Sequence, residues 1–222
     1  DIYRIVHSDD IVIFYDLKPS ADEVTMQLGF VPLKAIAPAR FQADLEVATK
    51  GDKAHASRKR WASAPYVHNP DPELIMIGDY DVSKQTLVAG GETVTAWIIK
   101  DGAKGAKQLF VSIEHSFPET TATADAVAHL KKIEAESPED FIQRHRVWWH
   151  SYYPKSFISL DDTRMESFYW IQVYKFGAGA RKGRAFMDTM GPWVVENTAW
   201  ANGWFNLNTQ LSYWFLSTAN RL

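Results

Sequence analysis

Between Leu109-Phe110-Val111-Ser112-Ile113-Glu114-His115 and Ser137-Pro138-Glu139-Asp140 the chain changes character. The first stretch is rich in β-branched and aromatic residues and predicts a strand. The second puts a serine at a helix N-cap, a proline at the first helical position and an acid at the third, which predicts a helix start. Between them lie a proline, three threonines and the alanine-rich run Ala122 to Ala135, ending in Lys131-Lys132-Ile133-Glu134. That composition predicts a loop feeding a linking helix. The organisation expected is therefore a β domain over 1–117, a linker with a helix over 118–137 and a helical domain over 138–222.

Upstream, Ile11-Val12-Ile13-Phe14-Tyr15, Glu73 to Ile77 and Thr93 to Lys100 are further short apolar runs. Pro70-Asp71-Pro72, Gly90-Gly91 and Asp101-Gly102-Ala103-Lys104-Gly105 supply turn chemistry between them, and the spacing predicts a β-sandwich over a βαβ fold. Downstream, Phe141, Ile142, His145 and Trp148 or Trp149 recur at helical spacing on one face. Asp161-Asp162 opens a second helix carrying Met165, Phe168, Tyr169, Gln172, Val173 and Phe176, with Gly177 and Gly179 as stop signals. A third, largely buried helix is expected from about Leu207 to Ala219. Three or four such apolar helices would leave wide faces uncovered, so the helical domain is expected to be incomplete, with a missing remainder of the same polypeptide.

Composition narrows the class. The 222 residues are 46% hydrophobic and 23% charged, near globular averages. The net charge of −3 sets aside nucleic acid as a partner. No window reaches the run of roughly 18–20 apolar residues that crosses a bilayer, so no membrane span is expected. The absence of cysteine removes disulfides, thiolate catalysis and cysteine-built zinc sites. The chain opens on Asp1 and not Met, which suggests a processed start and leaves room for a removed secretion signal.

Aromatic content is the anomaly. Seven of the nine tryptophans lie between Trp148 and Trp214. Indoles either fill a core or line a concave site, and their flat faces stack on the apolar face of a sugar ring.

Most candidate chemistry dissolves on inspection. His145 and His150 stand five apart on one predicted helix, about 140° around its axis, so no metal site is expected there. Asp9-Asp10 and Asp161-Asp162 are explained as turn or helix-start residues. There is no Gly-x-Ser-x-Gly elbow, and Gly177-Ala178-Gly179-Ala180-Arg181-Lys182-Gly183 does not follow a strand as a phosphate cradle would. Arg58-Lys59-Arg60 is a solvated loop edge.

One constellation remains. Gly191-Pro192-Trp193 and Ala199-Trp200 lead into Trp204-Phe205-Asn206-Leu207-Asn208-Thr209-Gln210-Leu211-Ser212-Tyr213-Trp214. Three carboxamides among aromatic residues, at a loop-to-helix junction, would hold sugar hydroxyls or orient a single water. Alternatively, Asn206 or Asn208 simply caps the helix.

At these residues the chain resembles glycoside hydrolase family 95, the inverting α-L-fucosidases and related α-L-galactosidases. Gly191 and Trp193, Trp200, Asn206, Asn208, Gln210, Tyr213 and Trp214 follow that family's Gly-x-Trp element, later Trp and Asn-x-Asn-x-Gln-x-x-Tyr-Trp signature in order. His145 with Trp148 and Trp149 resembles its first barrel helix, and Tyr169 to Tyr174 its next. The likeness is specific over roughly 138–222 and architectural before that. It implies a supersandwich-like β domain, a helical linker and the first helices of an (α/α)6 barrel. It also implies that Asn206 and Asn208 hold the nucleophilic water as catalytic residues, while Trp193, Trp200, Trp204 and Gln210 bind substrate. The carboxylate acid and base would lie outside this chain, because no Asp or Glu follows Glu196. Trp204 departs from the His that many members carry there, which removes a polar sugar contact and leaves the sugar open.

The function expected is an exo-acting, inverting glycoside hydrolase on terminal sugars of complex glycans, of bacterial origin, periplasmic or secreted. It would need no cofactor and no metal, and this chain alone would be inactive. A non-catalytic carbohydrate-binding protein is the first alternative. A scaffold docking a partner chain through its apolar helical faces is the second.

Overall fold

Even-numbered residues of Glu92–Asp101 run Glu92, Val94, Ala96 and Ile98, and those of Lys107–Ser116 run Phe110, Ser112 and Glu114; such period-two alternation gives each strand one covered face. The computed structural model describes residues 1–20, 22, 23, 26–32, 34, 35, 67–181, 186, 187, 189, 191 and 205–221. These fall into two compact units, one reaching His145 and the other starting at Arg146. Strands precede helices in the chain, the β-then-α order expected from the sequence.

In the first unit, six strands form one antiparallel sheet: β1 (Ile2–Val6), β2 (Ile13–Leu17), β3 (Glu73–Ile77), β4 (Tyr80–Thr86), β5 (Glu92–Asp101) and β6 (Lys107–Ser116), in spatial order β1-β2-β6-β5-β4-β3. The predicted strand at Ile11–Tyr15 is shifted: Ile11 and Val12 belong to the turn, where Val12 is buried and its carbonyl accepts the His7 N–H at 3.0 Å. β1 and β4 were not expected as strands; β4, Tyr-Asp-Val-Ser-Lys-Gln-Thr, is too polar to stand out by hydropathy. At the β4–β5 turn Gly91 holds φ +80°, and a Cβ there would sit 2.0 Å from the Ser116 carbonyl oxygen, so no side chain fits.

Helix α1 (Ala122–Glu134) covers one face of the sheet. Ala122, Ala126, Val127, Leu130 and Ile133 form its buried stripe, packed with Ile5, Phe14, Val82, Val94, Ala96 and Phe110 from the strands. Both helix ends are tied to the sheet. Ser116 Oγ accepts the N–H groups of Thr121 and Ala122, each at 3.1 Å, and buried Glu92 accepts that of Thr123 at 2.7 Å and pairs with Lys84 at 3.1 Å. At the other end Glu134 accepts the Tyr80 hydroxyl and pairs with Lys100 at 2.9 Å. Burial and the neighbouring carboxylate push the Tyr80 hydroxyl up to about 12.

The opposite face carries Ile2, Val6, Leu74, Met76, Ile99 and Ile113, all exposed. Phe30 stacks on Trp97 there at 4.2 Å, and buried Gln85 accepts the Ala35 N–H while donating to the Pro70 carbonyl, each at 2.7 Å.

Helix α2 (Pro138–Tyr152) starts as predicted: Ser137 Oγ accepts the Asp140 N–H at 3.1 Å and donates to its carboxylate at 2.8 Å. It begins in the first unit and ends in the second. The second unit continues with α3 (Thr163–Gly179), capped by Asp162, whose carboxylate accepts the Arg164 and Met165 N–H groups, and with α4 (Asn208–Thr218). Gly177 is not the stop expected of it. It lies inside α3, where a Cβ would come within 2.8 Å of Tyr152 and 2.9 Å of Trp149, so its missing side chain lets the helices approach. Helix α4 is also less buried than expected, with Thr209 and Leu216 inside and Leu211 and Trp214 exposed.

Among the described residues no helix is long and apolar enough to cross a membrane, and no group of three His, Asp or Glu residues is arranged to hold a metal.

Candidate functional site

Met165, Phe168, Tyr169 and Phe176, with the polar Gln172 among them, recur three and four apart along α3, and one face of a helix follows. Among the described residues that face is not closed over. With Ile158, Leu160 and, from α4, Ser212 and Phe215, it lines a groove of about 510 Å³, a size that suits a small ligand. Phe176 packs edge-on against both Phe215 and Tyr213, at 4.8 and 5.1 Å between ring centres, and so sets the spacing of α3 and α4. The Tyr213 hydroxyl accepts the Met187 N–H at 2.7 Å, which holds that loop residue to α4.

Most polar groups at the groove are engaged. Tyr169 and Ser156 share a hydroxyl contact at 2.9 Å, and Ser212 donates to the Asn208 carbonyl at 3.1 Å. Gln172, half-buried, makes no hydrogen bond among the described residues. The nearby acids are committed to backbone: Asp162 to the start of α3 and Glu166 to the Leu160 N–H at 2.8 Å.

The asparagines sit at the entry to α4. Its N-cap is Leu207, with no side-chain capping bond, and Asn208 is the first helical residue. Neither asparagine therefore caps the helix. Asn206 is exposed in the turn before it, Asn208 is half-buried, and the carboxamides of both, like that of exposed Gln210, make no hydrogen bond among the described residues.

Helical geometry divides the signature. Asn208 shares a face with Ser212 and Phe215, the two groove residues of α4, because steps of four and seven nearly close full turns. Gln210 lies about 160° around the axis from Asn208, on the side of exposed Trp214. Thus the structure brings Asn208 to the groove side and leaves Gln210 away from it. Trp193, Trp200 and Trp204 lie outside the described residues.

No family model, curated protein or solved structure matches the chain.

Elsewhere in the helical unit, aromatic and cationic groups are joined tightly. Trp148 stacks on Tyr152 at 4.9 Å, with the Trp149 ring edge-on to Trp148 at 4.8 Å, and the Arg181 guanidinium lies 3.9 Å over Trp148. Arg221, buried over the Tyr152 ring, donates to the Tyr152, Tyr153 and Ala219 carbonyls, and Tyr152 donates to the Val173 carbonyl at 3.0 Å. Burial pushes the Tyr152 and Tyr153 hydroxyls up, keeping both neutral.

Sequence reasoning did not single out Gln172 or Ser212 as groove residues. Gln172 was visible as the polar member of an apolar stripe, a pattern that reads as core until a neighbour fails to cover it.

Proposed function

We propose that this chain is part of an inverting glycoside hydrolase acting on terminal sugars of complex glycans, related to glycoside hydrolase family 95. The observation that carries the proposal is the pair of carboxamides, Asn206 and Asn208, at the entry to α4, which make no hydrogen bond among the described residues. A carboxamide offers a donor and an acceptor together, which is what fixing one water for attack requires. In inverting chemistry that water stands between two carboxyl groups roughly 6.5–9.5 Å apart. The sequence resemblance puts those carboxylates after the asparagines, hence outside these 222 residues.

Two architectural features fit the same proposal. The sheet face opposite α1, where Ile2, Val6, Leu74, Met76, Ile99 and Ile113 are exposed, is what a second sheet would bury in a supersandwich. The helices α2, α3 and α4 would open an (α/α)6 barrel. An enzyme for complex glycans would work in the periplasm or be secreted.

The test uses the full-length protein with a panel of 4-nitrophenyl glycosides. Asn206→Ala and Asn208→Ala should each lower kcat by about 10²–10⁴ with only a small change in KM, and the first product seen by NMR should be the inverted anomer. Near-normal kcat in both variants, or a retained anomer, would overturn the proposal.

A carbohydrate-binding protein without hydrolysis is favoured by one observation: Asp162 and Glu166, the acids beside the groove, are both spent on backbone amides. Saturable sugar binding with no product from any glycoside would establish it instead.

A further inference from the structure

The turn between β1 and β2 points three consecutive backbone N–H groups at histidine rings. Those of Asp9 and Asp10 donate to His7 Nδ1, at 3.2 and 3.0 Å, and that of Ser8 donates to His145 Nδ1 at 3.1 Å. The other nitrogen of His7, Nε2, donates to the Phe141 carbonyl at 3.1 Å, and its ring stacks on Phe141 at 4.2 Å. The His7 side chain is fully enclosed. These contacts define the ring's chemistry: Nε2 carries the hydrogen, Nδ1 carries the lone pair, and the imidazole is neutral.

A proton added at Nδ1 would make it a third N–H donor facing those of Asp9 and Asp10, and the acceptor beside it, the Asp10 carboxylate at 3.4 Å, is already held by Lys132 and Arg144. We propose that His7 is an acid-operated latch, whose protonation at Nδ1 detaches the 7–12 turn from the beginning of α2.

The surrounding charges decide how readily it opens. Asp10 lies 3.4 Å from Nδ1 and draws a proton toward it. That pull is blunted, because Lys132 of α1 and Arg144 of α2 hold the Asp10 carboxylate at 2.5 and 2.7 Å, and Arg144 also binds Glu136. Asp9 adds a weaker attraction from the turn, and His145 contributes its own amide-accepting ring from α2. Burial is the strongest influence, Asp10 opposes it and Arg144 reinforces it, so His7 is held below its ordinary 6.5. The sign follows: an open turn takes up the proton more readily than a closed one, so opening becomes easier as pH falls below 6.5 and levels off once the closed form also protonates.

The experiment is amide hydrogen exchange, with ring-nitrogen NMR, on the ¹⁵N-labelled 222-residue chain between about pH 7.5 and about pH 5. Protection at Asp9 and Asp10, corrected for intrinsic exchange, should fall by about tenfold per pH unit below the free-histidine value. His7 Nδ1 should read as unprotonated at the upper end. His7→Asn keeps an acceptor at the Nδ1 position that takes no proton, so its protection should be flat over the same range. His7→Gln loses that acceptor, so its Asp9 and Asp10 amides should be poorly protected throughout. Flat protection in the wild-type chain, or the same slope in His7→Asn, would overturn the latch. Should His7→Asn fail to fold, a hydrogen found on Nδ1 in the wild-type chain at neutral pH overturns it equally.

Discussion

The sheet unit and the helical unit spend their aromatic residues differently. In the first, Phe14, Phe110 and Phe141 are buried together, and α1 is fastened at both ends by sheet side chains. In the second, Trp148, Trp149, Tyr152, Tyr153, Trp170 and Tyr174 meet ring to ring in a chain, some stacked and some edge-on or tilted, yet Phe157 is 83% and Trp214 63% exposed. Aromatic content is therefore a poor measure of core. What separates the units is closure: a sheet face covered by a matching helix removes whole side chains from water, whereas rings stacked in a row keep an edge or face wet. An apolar surface of that extent marks a place for a ligand or for more protein.

The sharpest test pairs one phenylalanine from each unit. Phe141→Ala removes a fully buried ring that touches His7 and Phe14 and should cost about 3–5 kcal/mol. Phe157→Ala removes an exposed ring and should shift stability by no more than about 0.5 kcal/mol. Urea titrations of the two variants, followed by circular dichroism, measure both. Equal losses would break the contrast, because they would mean that Phe157 is covered in solution.

A substitution in the helical unit examines a place where two of its helices are packed to contact. Gly177→Ala improves helix propensity by about 1 kcal/mol but drives a methyl against Tyr152 and Trp149, whose rings are held by stacking and by the Tyr152–Val173 hydrogen bond. Overpacking of this kind costs about 1–3 kcal/mol, so a net loss of about 1–2 kcal/mol is expected, with a changed near-ultraviolet tryptophan spectrum. A stabilised variant with an unchanged spectrum would show that α2 and α3 are free to separate.

Gly177 also marks where sequence logic stops. The order of strands and helices, the Ser137 and Asp162 starts and the span of α1 were legible because each rests on local chemistry: alternation, capping and periodicity. Gly177 was misjudged because its role is set by Tyr152 and Trp149, which are distant in the chain. β4 was missed because its covered face is supplied by α1 and its neighbours, and not by its own hydropathy. At the candidate site, the Asn-x-Asn-x-Gln spacing was visible, but its division between two sides of α4 required knowing that the helix begins at Asn208. The turn at Asp9-Asp10 was legible, but the part His7 plays in it was not. An isolated histidine followed by two aspartates reads as a surface turn until α2 is brought against it.

The smallest expected effect returns to α1 and asks what a carboxylate beneath a helix start contributes. Glu92 is fully buried, and burial pushes its carboxyl up, but the Thr123 N–H and Lys84 outweigh that and hold it below the ordinary 4.5. Glu92→Gln keeps an acceptor for the Thr123 N–H and loses the charge, so about 1 kcal/mol of stability should go at neutral pH. A depressed carboxyl stabilises the fold above its unfolded value and ceases to do so as pH falls through its folded value. The gap between wild type and Glu92→Gln should therefore narrow as the pH drops below 4.5. Thermal melts across that range would show it. A gap unchanged by acid would mean that α1 is held by the apolar stripe from Ala122 to Ile133 and by Ser116, with no net contribution from the Glu92 charge.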